Sequence, residues 1–261
     1  MKPIKKFLVQ AMLILAFLIA AAALLTLAKA KINIYMAQVQ VYASQIYAMK
    51  DIATTPEGLE QIGQAIGAVN PIVRKMSYLT YGAVPAALFL LWSSLAGASF
   101  YLSARKPKRL PSYLLSFAAI SLIPFAVYCL TAVKILRGAG NMLMTGGGLY
   151  SIIGFALLLL FAGYITFISY TLIGKDKLAR IPVHAIRLAL RKMYPLLPVF
   201  TLLFAAAVAL VAAATSSYMH IMSAKFGMST AYNMLALAIA LTITVSLKEA
   251  LTKITSARSS L

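Results

Sequence analysis

Six stretches of this chain, at 7–28, 76–104, 110–133, 138–174, 193–224 and 226–247, carry no charged residue at all. A helix of about 20 apolar residues crosses the roughly 30 Å hydrocarbon core of a bilayer, so each stretch is long enough to span it. Backbone polar groups find no water there and must be satisfied within the segment, so the spans must be helices rather than open strands. The sequence therefore predicts an all-α, polytopic integral membrane protein with six transmembrane helices. Hydrophobic residues make up 62% of the chain and charged ones 11%, and no segment has the mixed composition of a soluble domain. Residues 1–261 read as a single helical membrane domain.

The charges that remain are informative by position. Only Asp51, Glu57, Glu60, Asp176 and Glu249 are acidic, against 24 Lys and Arg, and all of them avoid the six stretches. The net charge of +19 comes from short basic clusters beside apolar spans. That arrangement fits membrane topology and anionic headgroups rather than nucleic acid. With the N-terminus inside, Lys2, Lys5, Lys6, the cluster Arg105 to Arg109, the basic residues from Lys175 to Lys192, and Lys248, Lys253 and Arg258 all fall on the cytoplasmic face. Both termini are then cytoplasmic, in a prokaryotic cytoplasmic membrane. Ala28-Lys29-Ala30 resembles a signal-peptide cleavage site. The apolar run before it is longer than a signal core, and helical patterning continues past it, so the first span is read as an uncleaved anchor.

Between the first two spans, Ile32, Tyr35, Val39, Tyr42, Ile46 and Met49 recur at alternating steps of three and four, as do Leu59, Ile62, Ile66, Val69, Val73 and Met76. Each set draws an apolar stripe along one helix, the pattern of a seam between paired helices. Thr55-Pro56-Glu57 reads as a helix start: a side-chain cap, a proline where its missing N–H costs nothing, and a carboxylate at the positive end of the dipole. Residues 31–76 are thus expected to form an extracytoplasmic helical hairpin turning near Lys50 to Thr55, with a kink at Asn70-Pro71.

A second amphipathic segment, 178–193, precedes the fifth span. Arg180, His184, Arg187 and Arg191 fall within about 60° on a helical wheel at 100° per residue, with Leu178, Pro182, Ala185, Ile186, Ala189 and Met193 opposite. A helix with a basic stripe and an apolar back lies in the membrane interface, and this one offers a surface to anionic headgroups or to a partner protein. On the fifth span Ala205, Ala209 and Ala213, and on the sixth Ala236, Ala240 and Thr244, form small-residue stripes that allow close helix approach.

Chemistry-bearing patterns are sparse. Cys129 is the single cysteine, so neither an intrachain disulfide nor a thiolate metal site can form. His184 and His220 fall in loops on opposite sides of the membrane and cannot share a metal. Gly138-Ala139-Gly140 and Gly146-Gly147-Gly148 follow no strand and precede no Gly-Lys-Ser/Thr, and they read as a flexible outer loop. Ser93 and Ser94 have no base within sequence reach. No catalytic residue, cofactor or metal is expected. The function expected is that of a non-enzymatic accessory or scaffold subunit working with a membrane-embedded partner. The alternative is a permease subunit for a neutral substrate, driven by a separate ATPase, although His184-Ala185-Ile186-Arg187 does not match the loop such permeases present.

Overall fold

The computed structural model of the protein describes residues 3–49, 55–103, 109–145, 149–174, 176–222 and 228–257. Among them the chain is helical almost throughout, without a strand. The helices are α1 (Pro3–Ala48), α2 (Pro56–Tyr78), α3 (Val84–Leu91), α4 (Gly97–Ser103), α5 (Leu110–Thr145), α6 (Leu149–Leu172), α7 (Ile181–Arg191), α8 (Met193–Met222) and α9 (Met228–Ala257). Short π-helical turns at Leu79–Ala83 and Trp92–Ala96 link α2, α3 and α4 without a break in helical structure. Six helical stretches among the described residues are long and apolar enough to cross a membrane: Ile4–Ala48, Pro56–Ser103, Leu110–Thr131, Ile153–Leu172, Met193–Ala214 and Asn233–Thr255. The chain is a multi-pass membrane protein.

Two boundaries differ from the sequence reading. The Gly138-Ala139-Gly140 segment lies inside α5, which continues to Thr145, while Gly146 to Gly148 fall outside the described residues. A glycine costs a helix interior only about 1 kcal/mol, so tripeptides of this kind need not end one. The sixth span also runs beyond the uncharged stretch that ended at 247. Helix α9 carries Lys248 and Glu249 inside its apolar length, and Lys248 is buried.

The chain divides into two compact units, Ala20–Leu90 and the remainder. In the larger unit the main contacts are α8 against α9, α5 against α6, and α6 against α7. Hydrocarbon tails are as apolar as leucine, so helices in lipid associate through tight packing rather than hydrophobic exclusion. Aromatic rings supply much of that packing here. Phe117 stacks on Tyr170 at 4.2 Å between centroids, Phe100 meets Tyr170 edge-on at 5.0 Å, and Tyr164 lies 5.6 Å from Phe200. Several side-chain hydroxyls within the spans are satisfied locally, each donating to the carbonyl one turn earlier: Ser121 to Phe117, Thr166 to Ala162, Ser169 to Ile165 and Thr244 to Ala240. This back-bonding lets polar residues sit in lipid without a partner helix. The alanine stripe expected on the fifth span does not form a buried contact, since Ala205 and Ala209 are exposed. The buried face of α8 includes Leu196, Phe200, Leu203 and Leu210, and that of α9 includes Ala240, Thr244, Val245, Lys248 and Leu251.

In the smaller unit, Thr55 takes an extended backbone and its Oγ1 accepts from the Gly58 N–H at 3.1 Å, with Pro56 opening the helix and Glu57 in its first turn. Helix α2 passes through Pro71 without interruption. Helix α1 is 46 residues long, roughly 70 Å at about 1.5 Å per residue, and the Ala28-Lys29-Ala30 segment lies within it.

Gly97 shows how closely α4 and α5 approach. A Cβ there would lie 2.9 Å from Leu114 Cδ2 and 3.1 Å from Phe117 Cδ1. Leu114 can swing aside, but Phe117 is wholly buried and stacked on Tyr170. Gly97→Ala should therefore lower stability by about 1–3 kcal/mol, the usual cost of overpacking, less up to about 1 kcal/mol of helix propensity regained. Gly63→Ala, at an open helical position with nothing within 4 Å, should keep only the propensity gain. Thermal unfolding of the purified variants in detergent checks the contrast: the first midpoint should fall and the second should not.

Candidate functional site

The most distinctive chemistry gathers around Lys248. Helix α9 turns this residue inward, leaving it 5% exposed. Its Nζ donates to Ser99 Oγ at 2.6 Å and sits 4.3 Å from the centroid of the Phe100 ring, a cation over an aromatic face. Beside it runs a polar chain. Lys6 Nζ lies 3.3 Å from Glu249 Oε1, the wholly buried Gln10 donates through Nε2 to that same oxygen at 3.3 Å and to Ser103 Oγ at 3.0 Å, and Ser103 Oγ donates to the Ser99 carbonyl at 3.4 Å. These contacts bring the N-terminal part of α1, the end of α4 and the C-terminal part of α9 to one end of the helical unit.

Lys248 and Ser99 also line a cavity of about 500 Å³. Its walls are predominantly apolar, with Phe17, Trp92, Phe167, Phe200, Phe204 and Leu210 among them. Trp92 is the single tryptophan of the chain, and it packs edge-on against Phe17 at 5.6 Å. It opens the π-helical turn Trp92–Ala96, and both ends of that turn face the cavity. Such turns are rare and recur at functional sites. Tyr170 closes one wall, with its hydroxyl within hydrogen-bonding distance of Ser121 Oγ (2.8 Å) and receiving the Trp92 indole N–H at 3.4 Å. Gly163 opposes them, where a Cβ would come within 3.2 Å of Phe200 and of the Tyr128 hydroxyl.

The basic stripe lies on α7 and the single 3₁₀ turn before it, Leu178–Arg180. Arg180, Arg187 and Arg191 are exposed. His184 is half-buried, with Nδ1 2.9 Å from Asp176 Oδ2, a contact that ties α7 to the turn at Gly174, whose φ of 87° only glycine adopts readily. The opposite surface divides in two. Ile181, Ala185 and Ala189 are buried, whereas Leu178, Val183, Ile186, Leu190 and Met193 remain exposed. A buried Tyr164 on α6 secures the end of α7, its hydroxyl donating to the carbonyls of Ala189 (3.2 Å) and Lys192 (3.4 Å).

Along the segment between the first two spans, Ile32, Tyr35, Val39, Tyr42 and Ile46 are partly covered positions of α1, flanked by exposed residues. On α2, Ile62 and Val69 are partly covered, but Leu59 is 60% and Ile66 49% exposed. Gly58 and Ala65 are buried in their place. The stripe on α2 is rotated by about one residue from the bulky set, because small side chains occupy the covered face. Of the expected turn, Lys50 to Thr55, all but Thr55 lie outside the described residues.

The cavity and its lysine are what sequence reasoning missed. One signal was available: Thr244, Lys248, Thr252 and Thr255 step along one helical face that also carries Val245 and Leu251, which marks that face as inward. No family model, curated protein or solved structure matches this chain significantly.

Two of the buried tyrosine hydroxyls give opposite expectations. Tyr164→Phe removes the hydroxyl that the Ala189 and Lys192 carbonyls share, the latter keeping the Leu196 N–H, and should cost about 1 kcal/mol. Tyr113 Oη has no hydrogen-bond partner among the described residues, so Tyr113→Phe should be neutral or stabilising. Unfolding midpoints in one detergent compare them directly.

Proposed function

We propose that the chain is a non-enzymatic accessory subunit of a prokaryotic cytoplasmic membrane, with α7 lying in the cytoplasmic interface and engaging anionic headgroups and a membrane-protein partner. The observation that carries this reading is the three-way division of α7. One sector packs on its own protein through Ile181, Ala185 and Ala189, a second is basic, and a third is apolar yet exposed. Outside a bilayer span, an exposed apolar row beside a basic one suits the headgroup boundary, apolar side down and arginines outward. Each arginine near an anionic surface contributes about 1 kcal/mol. The outer helices, read as an extracytoplasmic hairpin, supply a further surface through the exposed Leu59, Ile66 and Tyr47.

Affinity capture from mild detergent tests the accessory role. A stoichiometric membrane protein should co-purify with the chain and be lost when Arg180, Arg187 and Arg191 are all replaced by glutamine. Recovery of the chain alone from cells in which it is fully folded would sink the reading.

The permease reading keeps one observation in its favour, the cavity within the spans with a cation on its wall. Co-purification of an ATPase would move the conclusion there.

Orientation has its own test. In a Cys129→Ala background, Thr54→Cys should react with an impermeant maleimide in intact cells while Lys106→Cys stays protected until the membrane is opened. The reverse pattern would invert the topology, and an N-terminus beginning at Lys31 would show that the first apolar segment is removed.

A further inference from the structure

An ammonium group has three N–H donors and no acceptor. Among the described residues, Lys248 Nζ has one hydrogen-bond acceptor, Ser99 Oγ, and one aromatic face, that of Phe100. The neighbouring carboxylate of Glu249 is engaged by Lys6 and Gln10 instead. Lysine inside a membrane span marks a site with an anionic partner more often than a structural accident, because its burial is costly unless something compensates it. Among the described residues no carboxylate forms an ion pair with Lys248, Glu249 acting on it only from a distance, and Lys248 opens directly onto the cavity.

We propose that the cavity binds a single-chain acidic amphiphile of the fatty-acid class, with its carboxylate on Lys248 Nζ and Ser99 Oγ and its chain among the aromatic rings. Three features select this chemistry. Among the described residues the lysine is the only charged one lining the cavity, and two of its donors remain for the two oxygens of one carboxylate; a doubly charged phosphate monoester would call for a second cation. The rest of the wall is almost wholly apolar and aromatic, which suits hydrocarbon and not a polar solute. The volume, about 500 Å³, lies in the lower half of the range for small-molecule sites, about 300–1,000 Å³. It has room for one chain but not for the two chains and glycerophosphate of a bilayer lipid. Chain position also orders the cavity lengthwise. Lys248, Ser99, Phe100 and Tyr170 occupy one level, while Tyr128, Leu159 and Val211 lie about two or three turns away along their helices. A headgroup at the first level therefore points its tail along the bundle. The inference is independent of any protein partner.

Trp92 reports on this site without a label, being the single tryptophan and part of the cavity wall. The full chain in neutral phosphatidylcholine nanodiscs would be titrated with 9,10-dibromostearic acid and with its methyl ester, reading bromine quenching of Trp92 emission. The acid should quench saturably, and the ester should need about tenfold more or fail to saturate, since it lacks the charge-assisted contact. Lys248→Met should weaken the acid to the level of the ester. Ala207→Phe, which fills the cavity from α8 and leaves the lysine untouched, should abolish the saturable component. Equal, saturable quenching by acid and ester would overturn the acidic headgroup and assign the cavity to neutral lipid. Unsaturable quenching that Ala207→Phe leaves unchanged would show bromine in the surrounding bilayer only and would overturn the site. The acid and ester comparison uses the unaltered chain, so the test stands even if Lys248→Met does not fold.

Discussion

A cation cannot enter hydrocarbon unless the groups around it replace water, and the larger unit of this protein is organised around one such replacement. Lys248 is held by the Ser99 hydroxyl and the face of Phe100. Phe100 is positioned in turn by Phe117, Phe167 and Tyr170, so the ring beneath the ammonium is fixed by the same aromatic cluster that joins α4, α5 and α6. Gly97 permits that cluster to close, because any side chain there would meet Phe117. The polar chain through Gln10, Ser103 and Glu249 covers the charged end with donors and acceptors rather than lipid. Removing any of these layers leaves the lysine in a less polar or more mobile setting, and low local dielectric makes such a loss expensive.

How much of this was legible in the sequence depends on scale. The six spans were, because an uncharged run of sufficient length has one viable conformation in lipid. The Thr55 cap was legible for a similarly local reason, since the cap, the proline and the acidic residue act within one turn. The burial of Lys248 was not legible because a run of uncharged residues marks where hydropathy changes, not where a helix ends. Beyond the run, α9 still buries Lys248, Leu251 and Thr252 on the face that carries Val245. The α2 stripe went astray differently. Counting bulky residues put Leu59 and Ile66 inward, yet close approach favours Gly58 and Ala65, which carry little hydropathy signal. The cavity was out of reach, as its wall draws on residues from Ile14 to Lys248 and no local pattern encodes it.

Helix α7 shows why an amphipathic wheel with two faces can be too simple. Its apolar half is shared between the protein, through Ile181, Ala185 and Ala189, and the surroundings, through Val183, Ile186 and Leu190. The buried positions are mostly small and the exposed ones large. Tyr164 and the contact between Asp176 and His184 hold the two ends of the helix, which fixes the direction in which the arginines project.

The π-helical turn at Trp92–Ala96 has a consequence for register. An α-helix advances about 100° per residue, and a π turn advances less, so everything after Ala96 is rotated back from where an uninterrupted helix would put it. Ser99 and Ser103 reach Lys248 and Gln10 in this retarded phase. A chain of the same length in which this turn tightened to ordinary α-helix would still form one continuous transmembrane helix. Its serines would face elsewhere, and the lysine would lose its hydroxyl although no residue that touches it had changed.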